Sequence, residues 1–191
     1  AGRARALVAR DDPAGAAGLL GEVVKVLPTA EVAIAHGDAL AAAGDEAGAE
    51  EAYGLVGAIA RLYRANGVDV DLELALFAAD HTPGKAAVDQ ARRAVKARPS
   101  IQAHDALAWA LFTAGRPEEA WTEAGAALAL GTRDPLVRFH AAAIAEATGR
   151  TDLAARHLGV VLATNPRFSA AHAGRVADLA RILGLPIPTF E

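Results

Sequence analysis

The residues best suited to acid–base or metal chemistry near neutral pH are six histidines: His36, His81, His104, His140, His157 and His172. A zinc-binding helix sets two histidines four residues apart, often as His-Glu-x-x-His. No two of these stand at that interval. Asp80-His81 lies near Asp69, Asp71 and Glu73, a donor set that could suit a divalent ion. Helix capping and loop polarity explain the same residues, and that plainer reading is expected. Ser169 precedes His172 by three residues, yet no Gly-x-Ser-x-Gly elbow surrounds it. An N-cap role is expected for Ser169. Glu50-Glu51 and Glu118-Glu119 pair carboxylates early in predicted helices, where acids favour the N-terminal dipole. Neither Gly-x-Gly-x-x-Gly nor Gly-x-x-x-x-Gly-Lys occurs. With zero Cys, a thiolate nucleophile, a thiolate metal site and a disulfide scaffold are excluded. The chain is therefore expected not to be an enzyme and to use no metal and no cofactor.

What remains is a scaffold. The chain has 191 residues, 53% hydrophobic, 22% charged and only 5% aromatic. About a quarter is alanine. Alanine is the best helix former and a poor strand residue, so an all-α fold is expected. The longest stretch without Asp, Glu, Lys or Arg is ten residues, too short for a membrane span. The net charge is −4, without the basic balance of a nucleic-acid binder. Segment 30–80 carries ten acids against Arg61 and Arg64, a net of −8 that leaves +4 elsewhere. A partner drawn to that half is expected to be basic. Position 1 is not Met, so a fragment or processed chain is expected, with the cytoplasm favoured and export open. Sixteen of the 19 basic residues are Arg, a bias of GC-rich bacterial coding.

The chain repeats itself. Loop passages Ala43–Ala49, Asp80–Ala86, Ala114–Ala120 and Thr148–Ala154 each follow one Ala/Leu-rich segment and precede another. Ala16, Ala49, Ala86, Ala120 and Ala154 recur at spacings of 33, 37, 34 and 34. Asp45, Pro117 and Asp152 read as helix starts, and Gly44, Gly115 and Gly149 as left-handed stops. Leu107, Leu111, Leu128 and Leu130 follow helical spacing. Pro28, Pro99, Pro135 and Pro166 punctuate the ends of second helices. About eleven helices are expected. A partial hairpin is placed at 2–27, with full ones at 30–66, 69–98, 101–131 and 135–164. A capping helix follows at 168–183 and a non-helical tail at 184–191. The loop of the 69–98 hairpin reads as carrying extra residues.

This pattern resembles the tetratricopeptide repeat family, a 34-residue helix–turn–helix. The repeat from Pro135 gives Ala142, Gly149, Ala154, Leu158, Val161 and Pro166 at the family's positions. The repeat from Ile101 gives Ala108, Gly115, Ala120, Ala124 and Ala127, and that from Ala30 gives Gly37, Gly44, Ala49, Tyr53 and Val56. The family's Trp at position 4 is replaced by Ala33, His104 and Arg138. The resemblance implies one right-handed superhelical solenoid over 1–191, with first helices lining a concave groove. Groove positions map to Glu31, Ile34, Asp38 and Ala41; to Gln102, Asp105, Trp109, Phe112 and Thr113; and to Leu136, Phe139, Ala143 and Glu146. Trp109, Phe112 and Phe139 are aromatic anchors on that reading, with Asp105 one turn before Trp109, although core packing is the commoner fate of such rings.

A protein-binding adaptor taking a peptide with basic and apolar side chains is therefore expected. The alternatives are self-association through the end hairpins and a regulatory part of a larger protein. Segments 30–43, 69–80 and 101–114 contain no Lys, Arg or Asn, so the family's clamp for a chaperone C-terminus is not expected.

Overall fold

The computed structural model describes residues 2–68 and 70–188. Among them are eleven helices and no strand. In order they are α1 (Gly2–Ala9), α2 (Pro13–Val26), α3 (Ala30–Ala42), α4 (Glu46–Ala65), α5 (Asp71–His81), α6 (Lys85–Ala97), α7 (Ile101–Thr113), α8 (Pro117–Leu128), α9 (Pro135–Ala147), α10 (Thr151–Thr164) and α11 (Ala173–Ile182).

The local signals act as their chemistry requires. The side chains of Asp12, Thr29, Asp45 and Ser100 each accept an amide hydrogen bond in the first turn of the helix that follows. Gly44, Gly115 and Gly149 have φ of 87°, 77° and 72°. The amide after each reaches back five residues, to the carbonyls of Leu40, Leu111 and Ala145, at 2.9, 2.9 and 2.8 Å. Those bonds satisfy helix-end carbonyls and reverse the chain.

Three expectations need correction. First, Ala86 is exposed, and Ala87 is the fully buried alanine of its hairpin. With Ala87 in place, Ala33–Ala49, Asp71–Ala87, His104–Ala120 and Arg138–Ala154 are all separated by 16 residues. No extra residue lies in the third hairpin's loop; the added length sits in the 20-residue α4 and its connector. Second, Leu130 is 83% exposed because α8 ends at Leu128. Third, α11 begins at Ala173 rather than 168, and Ser169 is not its N-cap. The Ser169 hydroxyl lies 3.2 Å from His172 Nδ1, inside a turn. Leu185–Pro188 are non-helical; Thr189, Phe190 and Glu191 lie outside the described residues.

The chain divides into two compact units. One runs to Val70 and includes Arg167–Arg175; the other holds Asp71–Pro166 and resumes at Val176. In the first, α1 packs on α2, α2 on α3 and α3 on α4. Ala4, Ala16, Ala17, Leu20, Val32 and Ala39 form one apolar cluster there. Gly37 is buried because the Tyr53 ring occupies the space of its missing side chain, 2.3 Å from where a Cβ would stand. In the second unit, α7 packs on α5, α6, α8 and α9, and α9 also meets α8 and α10. Ala87, Ala106, Ala108, Ala120, Ala142 and Ala154 are all fully buried. Small side chains at those contacts let helix axes approach closely.

Candidate functional site

Aromatic and carboxylate side chains converge on the helices α5, α7 and α9 of the second unit. Asp105 and Trp109 lie one turn apart on α7, so both face the same neighbours. His140, on α9, presents Nδ1 at 3.0 Å to both carboxylate oxygens of Asp105. The Trp109 indole stacks almost parallel on the His140 ring, with centroids 4.0 Å apart and planes 11° apart. Its Nε1 donates to Asp80 Oδ1 on α5 at 3.0 Å. Phe112 and Phe139 close on the indole at 5.2 and 5.9 Å. One tryptophan thereby joins three helices through a hydrogen bond and a ring stack.

The arrangement is interior. Asp105 is 3% exposed, Trp109 2%, and Phe139 and His140 1% each. Asp105, Trp109 and Phe139, expected to line a groove, are packed into the core instead. The reason is chemical: His140 on the neighbouring helix satisfies the Asp105 carboxylate, and the rings bury one another. Phe112 is half-buried. Of the other expected groove residues, Gln102 is exposed and Glu146 half-buried. In the first unit Glu31 is exposed and pairs with Arg5 at 3.0 Å. Asp38 is half-buried and accepts from the Tyr53 hydroxyl at 2.9 Å.

A second set of polar groups recurs once in each of the three hairpins of the second unit, whereas Ala33 stands at that position in the first unit. Asp71 on α5 accepts from Gln90 at 3.1 Å and Arg93 at 3.3 Å on α6. His104 on α7 meets Glu123 on α8 at 2.8 Å. Arg138 on α9 meets His157 on α10 at 2.9 Å. Asp71, His104 and Arg138 occupy one repeat position, that of the missing Trp, and a polar tie between paired helices stands there. Guanidinium groups only donate, so His157 Nδ1 accepts and its ring is neutral. Burial, then the charges of Arg138 and Arg156, hold His157 below the ordinary histidine pKa. Burial, then Arg133, lowers that of Arg138, whose Nε donates to the Thr132 carbonyl at 2.6 Å.

Sequence reasoning named Asp80 and His140 but missed that they meet Trp109 and Asp105, and it missed these ties. Their signal was available as the 19-residue interval from Asp71 to Gln90, His104 to Glu123 and Arg138 to His157. It also missed Arg150, which caps the Trp121 ring at 5.1 Å while pairing with Glu118 at 3.0 Å. Asp80 serves Trp109, and among the described residues no group of three or more His, Asp or Glu is placed to hold a metal ion. No helix among them is long and apolar enough to cross a membrane. No protein-family model matches this sequence, and no curated protein is similar to it.

Proposed function

We propose that the chain is a non-enzymatic protein-binding module of tetratricopeptide-like hairpins, stacked as a right-handed solenoid. The carrying observation is that α7 packs against both α5 and α9, its counterparts one hairpin before and after, as well as against α6 and α8. Stacking each hairpin on the next in this way buries an apolar side that one hairpin cannot bury alone. It also sets the alternate helices α5, α7 and α9 side by side. Among the expected groove positions, Gln102 and Glu31 are exposed, and Phe112, Glu146 and Asp38 are half-buried. The net charge of segment 30–80 favours a peptide with basic as well as apolar side chains.

The test is partner capture from the source lysate, with wild type beside Gln102→Arg/Glu146→Arg. Both substitutions lie away from the buried network, so helicity by circular dichroism should be unchanged. A protein retained by wild type and depleted at least about tenfold by the variant supports groove binding. Equal retention by both refutes it.

A further inference from the structure

In the second unit Arg92, Arg93, Arg116, Arg150 and Arg181 each meet a carboxylate. Arg138 is held differently. Its Nε donates to the Thr132 carbonyl at 2.6 Å and its Nη1 to His157 Nδ1 at 2.9 Å. Both acceptors are uncharged, so the guanidinium is fixed in place without an acid. It carries five N–H donors. Three of them, including both on Nη2, have no acceptor among the described residues. The side chain is half-buried, so water reaches it only in part.

Both anchors bring further positive charge. Arg133 directly follows Thr132, and Arg156 directly precedes His157. Both are exposed, and neither forms an ion pair among the described residues. The charges acting on the Arg138–His157 pair are positive: Arg133 adds to burial in lowering the Arg138 pKa, and Arg138 and Arg156 add to burial in lowering that of His157. Asp134, the acid beside Arg133, caps α9 and accepts from the Leu136 amide at 2.9 Å. Asp152, one turn before Arg156, lies in the first turn of α10, where the helix dipole favours it. Three guanidiniums gathered in this way repel one another until an anion joins them.

Guanidinium forks match the oxygens of carboxylates and phosphates. A carboxylate offers two oxygens and one charge. A phosphoryl group offers three acceptor oxygens and up to two charges, which suits one oriented fork flanked by two further cations. We propose that Arg133, Arg138 and Arg156 form a phosphate-binding site where α9 pairs with α10, with Arg138 as its fixed fork. The site does not rest on the peptide reading, since none of the three is an expected groove residue.

The experiment is a nuclear magnetic resonance titration of the full chain, with ionic strength held constant by chloride. The probes are inorganic phosphate, N-acetyl-phosphoserine amide and acetate. Phosphate should give saturable amide shifts confined to 132–138 and 153–158, with a midpoint below about 50 mM. Arg133→Gln/Arg156→Gln removes two side chains that make no hydrogen bond or ion pair among the described residues, so helicity should be kept. It should weaken phosphate at least about tenfold. Phosphoserine amide binding at least about tenfold tighter than phosphate assigns the site to a phosphorylated protein side chain, and equal or weaker binding assigns it to the free ion; both keep the site. No saturable shift, or equal binding by the double variant, overturns the proposal. Acetate binding as tightly as phosphate overturns the preference for a phosphoryl group.

Discussion

Replacing Gly37 by alanine should destabilise the protein, although the same change at Gly18 should stabilise it. Both glycines lie inside helices of the first unit, α3 and α2. In both, alanine restricts the unfolded chain and favours helix by about 1 kcal/mol. At Gly18 nothing lies within 4 Å of a new Cβ, so that gain is kept. At Gly37 the new carbon stands 2.3 Å from Tyr53 Cε1 and 2.5 Å from Cδ1, more than an ångström short of ordinary contact. These atoms belong to the rigid edge of a half-buried ring, whose hydroxyl is tied to Asp38 at 2.9 Å. The ring must withdraw, at about 1–3 kcal/mol for overpacking, and loss of the hydroxyl bond adds about 1 kcal/mol. After the propensity gain, Gly37→Ala should cost about 1–3 kcal/mol and Gly18→Ala should add about 1 kcal/mol. Urea unfolding followed by circular dichroism measures both. The double variant Gly37→Ala/Tyr53→Leu should recover part of the loss, because the obstruction is then gone. If Gly37→Ala is as stable as Gly18→Ala, the ring does not occupy the glycine's space and the packing of α4 on α3 is misjudged.

The corrected register makes a second contrast. Ala87→Leu should cost about 1–3 kcal/mol by overpacking, and Ala86→Leu should fall within about 0.5 kcal/mol of wild type; equal effects would restore the 37-residue spacing. Trp109→Phe removes the indole donor to Asp80 and should cost about 1–3 kcal/mol, rising to about 3–5 kcal/mol for Trp109→Ala. A double-mutant cycle with Asp80→Ala should return a coupling of about 0.5–3 kcal/mol, and none if the bond is incidental. Stability should also depend on pH. His157 and His36 both have folded pKa values below the unfolded value of about 6.5. The unfolded chain therefore binds protons first as pH falls. Full stability is present above about pH 6.5 and is lost as pH drops toward the folded values, below which it levels off. The urea midpoint should fall over that interval, and His157→Gln should flatten the curve; an unchanged slope would deny that burial and Arg138 hold the ring neutral.

Helix positions were largely legible because their punctuation is local. Gly44, Gly115 and Gly149 end helices by backbone geometry that few other residues tolerate, and Asp45 and Pro117 begin them by chemistry within one turn. The third hairpin was misread where that punctuation is missing: His81 stands in place of the glycine, and Gly84 serves instead at the N-cap of α6 with φ of 142°. The site was less legible. Whether Trp109 faces a groove or the core depends on His140 and Asp80, which are distant in sequence and meet it only after α5, α7 and α9 have packed. A carboxylate such as Asp105 reads as exposed until its imidazole partner is known.

The constant interval of 16 residues within each hairpin, against variable lengths between hairpins, bears on how the chain folds. Its polar ties join residues only 15 to 19 positions apart: Asp38 to Tyr53, Asp71 to Gln90, His104 to Glu123 and Arg138 to His157. Closing so short a loop takes little entropy and falls on the fast side of the contact-order trend. Contacts within a hairpin can therefore form early, and the hairpin is held once the next one covers its apolar side. Added length beyond those ties, such as the last turns of α4 and its connector, leaves the closures untouched, so the chain can grow or shrink there without refolding its hairpins.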